Sequence, residues 1–347
     1  MQIGERRLGV DTRPFVVAEM SGNHNQSLER ALAIVDAAAD AGADAVKLQT
    51  YTADTITLDV QDGDFVIADP KSPWAGRNLH ELYRAAYTPW EWHRPIVDHA
   101  RSRGLICFSS PFDETAVDFL ETLGVPAYKI ASFELVHLPL IRKTAATGKP
   151  LVMSTGMATL EEITAAVTAA RTAGCRDLVL LKCTSTYPAP AANSNLRTIP
   201  HLRETFGCEV GLSDHTTGIG VAVAAVAEGA VFIEKHLTLK RADGGVDSTF
   251  SMEPHEFKML VAESARAWEA LGQVNYGPTD SERASVALRR SIYIAADIPA
   301  GTTLSASHIR VVRPGGGLAP SFYEAVLGRV TRRDARKGTP VTWDLLR

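Results

Sequence analysis

Short apolar runs alternate with amphipathic stretches over most of the chain. The first run, "FVVAEM" (15–20), precedes "SLERALAIVDAAADAG", where Leu28, Ala31, Leu32, Val35, Ala38 and Ala39 share one helical face and Gly42 marks a stop. The alternation recurs at "AVKLQTY" (45–51), "LICFSSPF" (105–112), "AYKIAS" (127–132), "LVMSTG" (151–156), "LVLLKCTSTYP" (178–188), "EVGLSDHT" (209–216) and "VFIEKHLTL" (231–239). Thr88-Pro89-Trp90-Glu91 reads as an N-cap, a proline at the first helical position and a capping Glu. A helix begins near Asp113, Thr159-Leu160-Glu161-Glu162 is a second capping box with Gly174 at its far end, and a last helix runs from about His255 to Leu271.

Strand then helix, repeated about eight times over about 270 residues, is the length and rhythm of a (β/α)8 TIM barrel, an α/β fold. The runs are apolar throughout rather than alternating, as in a parallel sheet covered on both faces. An open doubly wound sheet is the alternative, although no GxGxxG follows the first strand. After Gly277 the texture changes to short strand-like pieces, turn residues and many arginines, which predicts a small β-rich domain. The expected division is a barrel over 1–272, a linker over 273–288 and the small domain over 289–347. The long insertion at 52–87 follows a barrel strand, so it is expected over the mouth as a lid or substrate wall.

Composition narrows the partners. The chain has 347 residues, 45% hydrophobic and 22% charged, with a net charge of -4, which gives no reason to expect nucleic acid or an anionic membrane. "MQIGERRLGVDTRP" lacks the apolar core of a secretory signal, and "VAVAAVA" is too short to span a bilayer. Cys107, Cys175, Cys183 and Cys208 form no CxxC pair, so free thiols in the cytoplasm are the simplest reading.

The candidate chemistry lies where the runs end. They close on Glu19; Lys47 and Gln49; Ser109 and Ser110; Lys129 and Ser132; Ser154 and Thr155; Lys182, Thr184 and Ser185; Ser213, Asp214 and His215; Glu234, Lys235 and His236. In a barrel these ends converge on one mouth. A buried charge costs several kcal/mol unless paired, so packing alone does not explain the series. After the first run, Ser21, Asn23, His24 and Asn25 are likewise suited to a polar ligand.

His215 and His236 stand at matching positions on strands expected about 4.8 Å apart, within reach of one divalent cation. With Glu19 expected across the barrel and no soft sulfur ligand, Mn²⁺ or Mg²⁺ fits. Asp214 and Glu234 either orient the imidazoles or pair with local cations. Lys47 and Lys129, with Ser110, Ser132, Ser154, Ser185 and Ser213, make a ring of cations and hydroxyls suited to a phosphate plus a carboxylate. Lys182 raises a rival, a Schiff-base aldolase or lyase; Cys183 beside it reads as a small buried hydrophobe.

These motifs together resemble the sialic acid synthase family. The matching pieces are "AEMSGNHNQ", "AVKLQTY", "SSPFD", "YKIAS", "STGMAT", "KCTSTYP", "GLSDHT", "EKHLTL" and "GGVDSTFSMEPHEF", and "DIPAGTTLSASHIRVVRPGGG" is similar to that family's antifreeze-like (SAF) domain. Within the family, "AEMSGNHNQSLERAL", "LQTYTADTITLD" and "LLKCTSTYP" are most similar to the branch that makes pseudaminic acid. Lys182 and Ser185 depart from the His and Asn more often found in the sialic acid branch, which bears on the sugar and not on the reaction class.

The resemblance implies condensation of phosphoenolpyruvate with an amino-sugar aldehyde, 2,4-diacetamido-2,4,6-trideoxy-L-altrose in this branch, with release of phosphate. It implies His215 and His236 as metal ligands and Glu19 as the acid/base group. It places Lys47 on the phosphoenolpyruvate carboxylate, and Lys129, Ser110, Ser132, Ser154, Ser185 and Ser213 around its phosphate. Gln49, Tyr187 and Asp247 fall at the sugar site. It also implies a domain-swapped homodimer in which Arg313, in "VVRPGGG", reaches the partner's mouth. N-acetylneuraminate or legionaminate synthesis, the Lys182 aldolase and a non-catalytic sugar-binding protein are the alternatives.

Overall fold

The computed structural model describes residues 1–347. A short hairpin, β1 (Gln2–Ile3) and β2 (Arg6–Arg7), opens the chain. Eight parallel strands follow: β3 (Phe15–Glu19), β4 (Ala45–Thr50), β5 (Ile106–Pro111), β6 (Tyr128–Ile130), β7 (Leu151–Ser154), β8 (Leu178–Cys183), β9 (Glu209–Asp214) and β10 (Phe232–His236). They pair in sequence order and β10 returns to β3, closing a barrel and excluding the open sheet.

Both faces of each strand are buried, as a parallel sheet between two apolar layers requires. Inward positions such as Phe15, Val17, Ala45, Phe108, Val152, Leu181 and Phe232 pack with Ile3 and Leu8 of the hairpin, which plugs one end. At Gly211 of β9 a Cβ would collide with the Phe232 carbonyl, so the inner layer needs glycine there. Outward positions such as Val16, Ala18, Val46, Ile130 and Ile233 pack against the surrounding helices.

Those helices are α1 (Leu28–Ala41), α2 (Ala53–Ile56) and α3 (Leu79–Ala86) within the insertion, α4 (Trp90–Ser102), α5 (Glu114–Leu123), α6 (Leu138–Ala145), α7 (Leu160–Thr172), α8 (Thr198–Phe206), α9 (Gly220–Ala227) and α10 (Pro254–Leu271). Their ends follow local chemistry. Gly42 ends α1 in the left-handed region at φ +84°, Asp113 caps α5, and Thr159 and Glu162 form a reciprocal capping box on α7. At α4 the expected Thr88 cap is absent. Pro89 holds the cap position, and the Thr88 hydroxyl meets the ring of buried His24 at 3.1 Å.

The chain divides into two compact units, Met1–Gly272 and Gln273–Arg347. The second carries the short helix α11 (Arg283–Val286), the antiparallel strands β11 (Ser291–Ile294) and β12 (Ile309–Val312), and the short helix α12 (Tyr323–Val326). Its own core includes Ile292, Ile294, Leu304, Ile309, Val326, Val341 and Leu345. No helix is long and apolar enough to cross a membrane.

Candidate active site

Strand parity decides which polar ends face the barrel interior. Counting by twos from the inward apolar layer leads to Glu19 on β3, Lys47 and Gln49 on β4, Lys129 on β6, Ser154 on β7, Cys183 on β8, Ser213 on β9, and Glu234 and His236 on β10. All of them, together with His215 just past β9, line one cavity of about 930 Å³. Closure pairs His236 with Glu19 in register, so Glu19 lies beside the histidine rather than across the barrel as expected.

The cavity floor is an alternating charge network. Lys47 pairs with Glu19, its ammonium lies 3.8 Å from Glu234, and Lys129 donates to Glu234 Oε1 at 2.5 Å. Glu19 Oε1 also accepts from the Ser21 backbone N–H at 3.0 Å and from Gln49 Nε2 at 3.1 Å. Burial pushes the Glu19 carboxyl above the usual carboxylate range, against the pull of Lys47, and neighbouring Glu234 adds to the rise. Two ammoniums and two carboxylates balance, so a polyanion entering here needs additional positive charge.

The two imidazoles have centroids 5.3 Å apart. His215 Nδ1 lies 3.1 Å from the Thr184 carbonyl; donating there leaves the Nε2 lone pair uncommitted. His236 Nδ1 is buried without a partner. Burial, with His215 and the floor lysines around it, holds the His236 ring well below its ordinary pKa and therefore neutral. Two nitrogen ligands beside a carboxylate-bearing floor fit a divalent cation. No group of three or more His, Cys, Asp and Glu side chains gathers in metal-binding geometry, so the remaining positions would fall to water or substrate.

The hydroxyl ring is only partly on the cavity surface. Ser132, Ser154, Ser185 and Ser213 line it, and the buried Ser154 hydroxyl has no partner. Ser110 does not line it; its hydroxyl accepts from Lys47 at 3.1 Å and so positions that lysine. Gly156, which sequence reasoning passed over, presents its N–H to Ser132 Oγ at 3.1 Å. A Cβ there would collide with Ser185 Oγ and sit 2.7 Å from Ser132 Oγ. Asp247, bonded to Ser21, and Tyr187, with its ring 4.5 Å from that of His215, line the cavity with Gln49.

Glu134 was also missed. It lies one short turn past β6, its Oε2 has no partner, and burial pushes its carboxyl up to about 7 despite Lys129 and Lys47. A single Glu after a strand carries no sequence signal that separates it from a solvated one.

Other expectations require correction. Asp214 and Lys235 have outward parity and pair with each other at 2.6 Å, so Asp214 does not orient a histidine. Glu234 pairs with Lys129 and Lys47, so for both acids the alternative of pairing with local cations is the one that holds. Lys182 also has outward parity; its ammonium donates to the Cys183 carbonyl at 2.8 Å and it does not line the cavity, which removes the support for a Schiff base there. Asn23 binds Leu237 and Ser251, His24 binds Thr88, and Asn25 binds the Gly244 carbonyl, so these three tie loops together and only Glu19 and Ser21 of that stretch reach the cavity. The insertion contributes a wall, with Ile56, Ile67, Trp74, Leu79, Leu82 and Tyr83 on the cavity surface. Arg313 belongs to the second unit, just after β12.

Known proteins place this arrangement. Residues 34–276 match the model of the NeuB family, and residues 289–347 match the SAF domain. The chain is 43% identical over 97% of its length, and 97% of the other's, to a pseudaminic acid synthase of Campylobacter jejuni. It is 36% identical, over 95% of its length and 94% of the other's, to an N,N'-diacetyllegionaminic acid synthase of Legionella pneumophila. Among solved structures, an N-acetylneuraminic acid synthetase of Leptospira borgpetersenii superposes with a TM-score of 0.72 at 30% identity, covering 82% of this chain and 94% of that one. The chain belongs to the NeuB family.

Proposed function

We propose that the chain is a pseudaminic acid synthase, condensing phosphoenolpyruvate with 2,4-diacetamido-2,4,6-trideoxy-L-altrose to give pseudaminic acid and phosphate. The observation that carries the reading is one cavity holding two lysines, unpartnered hydroxyl and imidazole groups, and a buried carboxylate, in a chain 43% identical over nearly its whole length to an enzyme of that name. The lower identity, 36%, to the legionaminate enzyme favours the pseudaminic substrate.

The cavity supports the following chemistry. Lys47 binds the phosphoenolpyruvate carboxylate, held in place by Ser110 behind it. Lys129, Ser132, Ser154, Ser185, Ser213 and the Gly156 loop surround the phosphate. Gln49, Tyr187, Asp247 and Glu134 hold the sugar, the unpartnered Glu134 oxygen accepting from one of its hydroxyls. A divalent cation, Mn²⁺ or Mg²⁺, on His215 and His236 would supply Lewis-acid polarisation of the sugar aldehyde. C3 of the enol attacks the aldehyde carbon, forming the C–C bond, and the aldehyde oxygen becomes a hydroxyl. Water adds to the resulting oxocarbenium carbon and gives its proton to Glu19, which sits beside His236. Collapse of that tetrahedral centre breaks the C–O bond to phosphate, which leaves with the proton returned by Glu19, while the added hydroxyl loses its remaining proton to become the C2 carbonyl, balancing the proton that the aldehyde oxygen takes up.

The reading includes a domain-swapped homodimer in which Arg313 serves the partner's cavity. Its support on the barrel is an apolar rim of Phe133, Val136, Met157 and Leu160, each about half exposed or more, with Met157 held in the left-handed region at φ +65°. A cytoplasmic site of action is consistent with four free cysteines.

Phosphate release with phosphoenolpyruvate and the diacetamido-altrose sugar tests the proposal. Release that stops with EDTA and returns with Mn²⁺ is expected. Sugar binding without phosphate release, in the presence of metal, identifies a binding protein instead.

A further inference from the structure

Ser21, in the stretch "AEMSGNHNQ", lines the cavity and has no part in the chemistry above. It is buried, and its backbone lies in the left-handed region at φ +48°. Glycine takes that conformation freely and serine does not. A serine side chain held there is offset by the bonds it makes.

Those bonds run to both the acid/base group and the sugar site. The Ser21 N–H donates to Glu19 Oε1 at 3.0 Å. Gln49 Nε2 lies 3.1 Å from both Glu19 Oε1 and Ser21 Oγ, so its two N–H groups are committed and its carbonyl oxygen is left for a ligand. An amide N–H only donates, so the Ser21 hydroxyl accepts from Gln49 and gives its own proton to Asp247 Oδ2. Burial pushes the Asp247 carboxyl up, and the bonds from the Ser21 hydroxyl and the Gly22 N–H pull it back. The Asp247 backbone is fixed separately: Ser251 Oγ donates to its carbonyl at 2.6 Å and accepts from Asn23 Nδ2 at 2.8 Å.

We infer that Ser21 is a positioning residue that sets the polarity of the sugar site. Its hydroxyl holds the Asp247 carboxylate and turns the Gln49 amide, so both present acceptors to the hydroxyl and amide N–H groups of the sugar, while its N–H keeps Glu19 in the same unit. The inference rests on the proposed synthase reading.

The test uses Ser21→Gly, which removes the hydroxyl, keeps the N–H and relaxes the backbone, beside Ser21→Ala, which removes the hydroxyl without that relaxation. The sugar KM should rise about 10- to 100-fold in both, the size of a hydrogen bond to a charged group. The phosphoenolpyruvate KM should stay within about twofold, because its pocket shares no bond with the Ser21 hydroxyl. The melting temperature of Ser21→Gly should stay near that of wild type, since the backbone relaxes and cavity water replaces the lost donor. In an Asp247→Asn background, Ser21→Gly should add far less than its effect in wild type, because the hydroxyl acts through that carboxylate. Calorimetry with the unreactive sugar alditol should follow the same ratios and covers variants with impaired turnover. An unchanged sugar KM in both variants, or an equal loss for both substrates that tracks a lower melting temperature, overturns the inference and leaves the synthase reading intact. Full additivity with Asp247→Asn also overturns it, putting Ser21 in direct contact with the sugar. No phosphate release by wild type with both substrates overturns the synthase reading and the inference with it.

Discussion

Two sets of buried ion pairs, drawn from one barrel and sharing β10, behave as opposites. Inside the barrel, Lys47, Glu19, Lys129 and Glu234 form a network that leaves Glu234 Oε2 without a hydrogen bond, beside the unpartnered Ser154 hydroxyl and His236 Nδ1. Outside it, between strands and helices, Lys235 is satisfied by Asp214 at 2.6 Å and the Thr216 carbonyl at 2.5 Å, while Asp214 also accepts from the Thr216 N–H at 2.9 Å. Both sets are more than nine-tenths buried. Burial therefore does not mark function here; unpartnered polar atoms on the cavity surface do, whereas the unpartnered Thr216 hydroxyl beside the outer pair lies off the cavity.

The sharpest break in this comparison is Glu19→Gln. Removing the inner acid/base group should lower kcat by about 10²- to 10⁴-fold in a phosphate-release assay. The melting temperature should move little, since Lys47 retains Glu234 within 3.8 Å. A comparable fall in stability would place Glu19 with the structural pairs.

Next in size is the outer pair. Lys235→Ala leaves the Asp214 carboxylate buried and uncompensated, and chemical denaturation should report a loss of about 3–5 kcal/mol. The double variant Asp214→Asn, Lys235→Met should recover most of it. Activity per folded molecule should stay near wild type in both, because neither side chain reaches the cavity.

The outer layer also contains neutral buried histidines, and they set an acid limit. Burial brings both His24 and His93 down to about 4, and the rings bond to Thr88 and Thr50. An unfolded histidine takes its proton near 6.5. The unfolded state therefore binds more protons between these values, so the contribution is full above pH 6.5 and is lost as pH falls toward 4. At about 1.4 kcal/mol per pH unit, each ring contributes about 3 kcal/mol. Melting temperature against pH should show this decline, and His93→Gln should make it shallower.

The smallest effect sharpens the inner side. Gly156→Ala puts a methyl between the Ser132 and Ser185 hydroxyls. The KM for phosphoenolpyruvate should rise about tenfold or more, as expected when a near-1 Å misplacement enters a binding site. The sugar KM should change less, and a uniform loss of both would show that the residue shapes the whole mouth.

The sequence by itself determined the strand and helix order, most caps, the change of texture after Gly277 and the presence of polar residues at every strand end. Those depend on local periodicity and turn chemistry, which neighbouring residues carry. It did not determine which of two adjacent polar residues faces the cavity. His215 and His236 face in while Asp214 and Lys235 face out, and Lys182 faces out beside inward Cys183. In a barrel both faces of each strand are buried in apolar surroundings, so the hydrophobic pattern does not mark the inside. Only closure assigns the parity. Closure also brings β10 to β3, setting Glu19 next to His236 although 217 residues separate them.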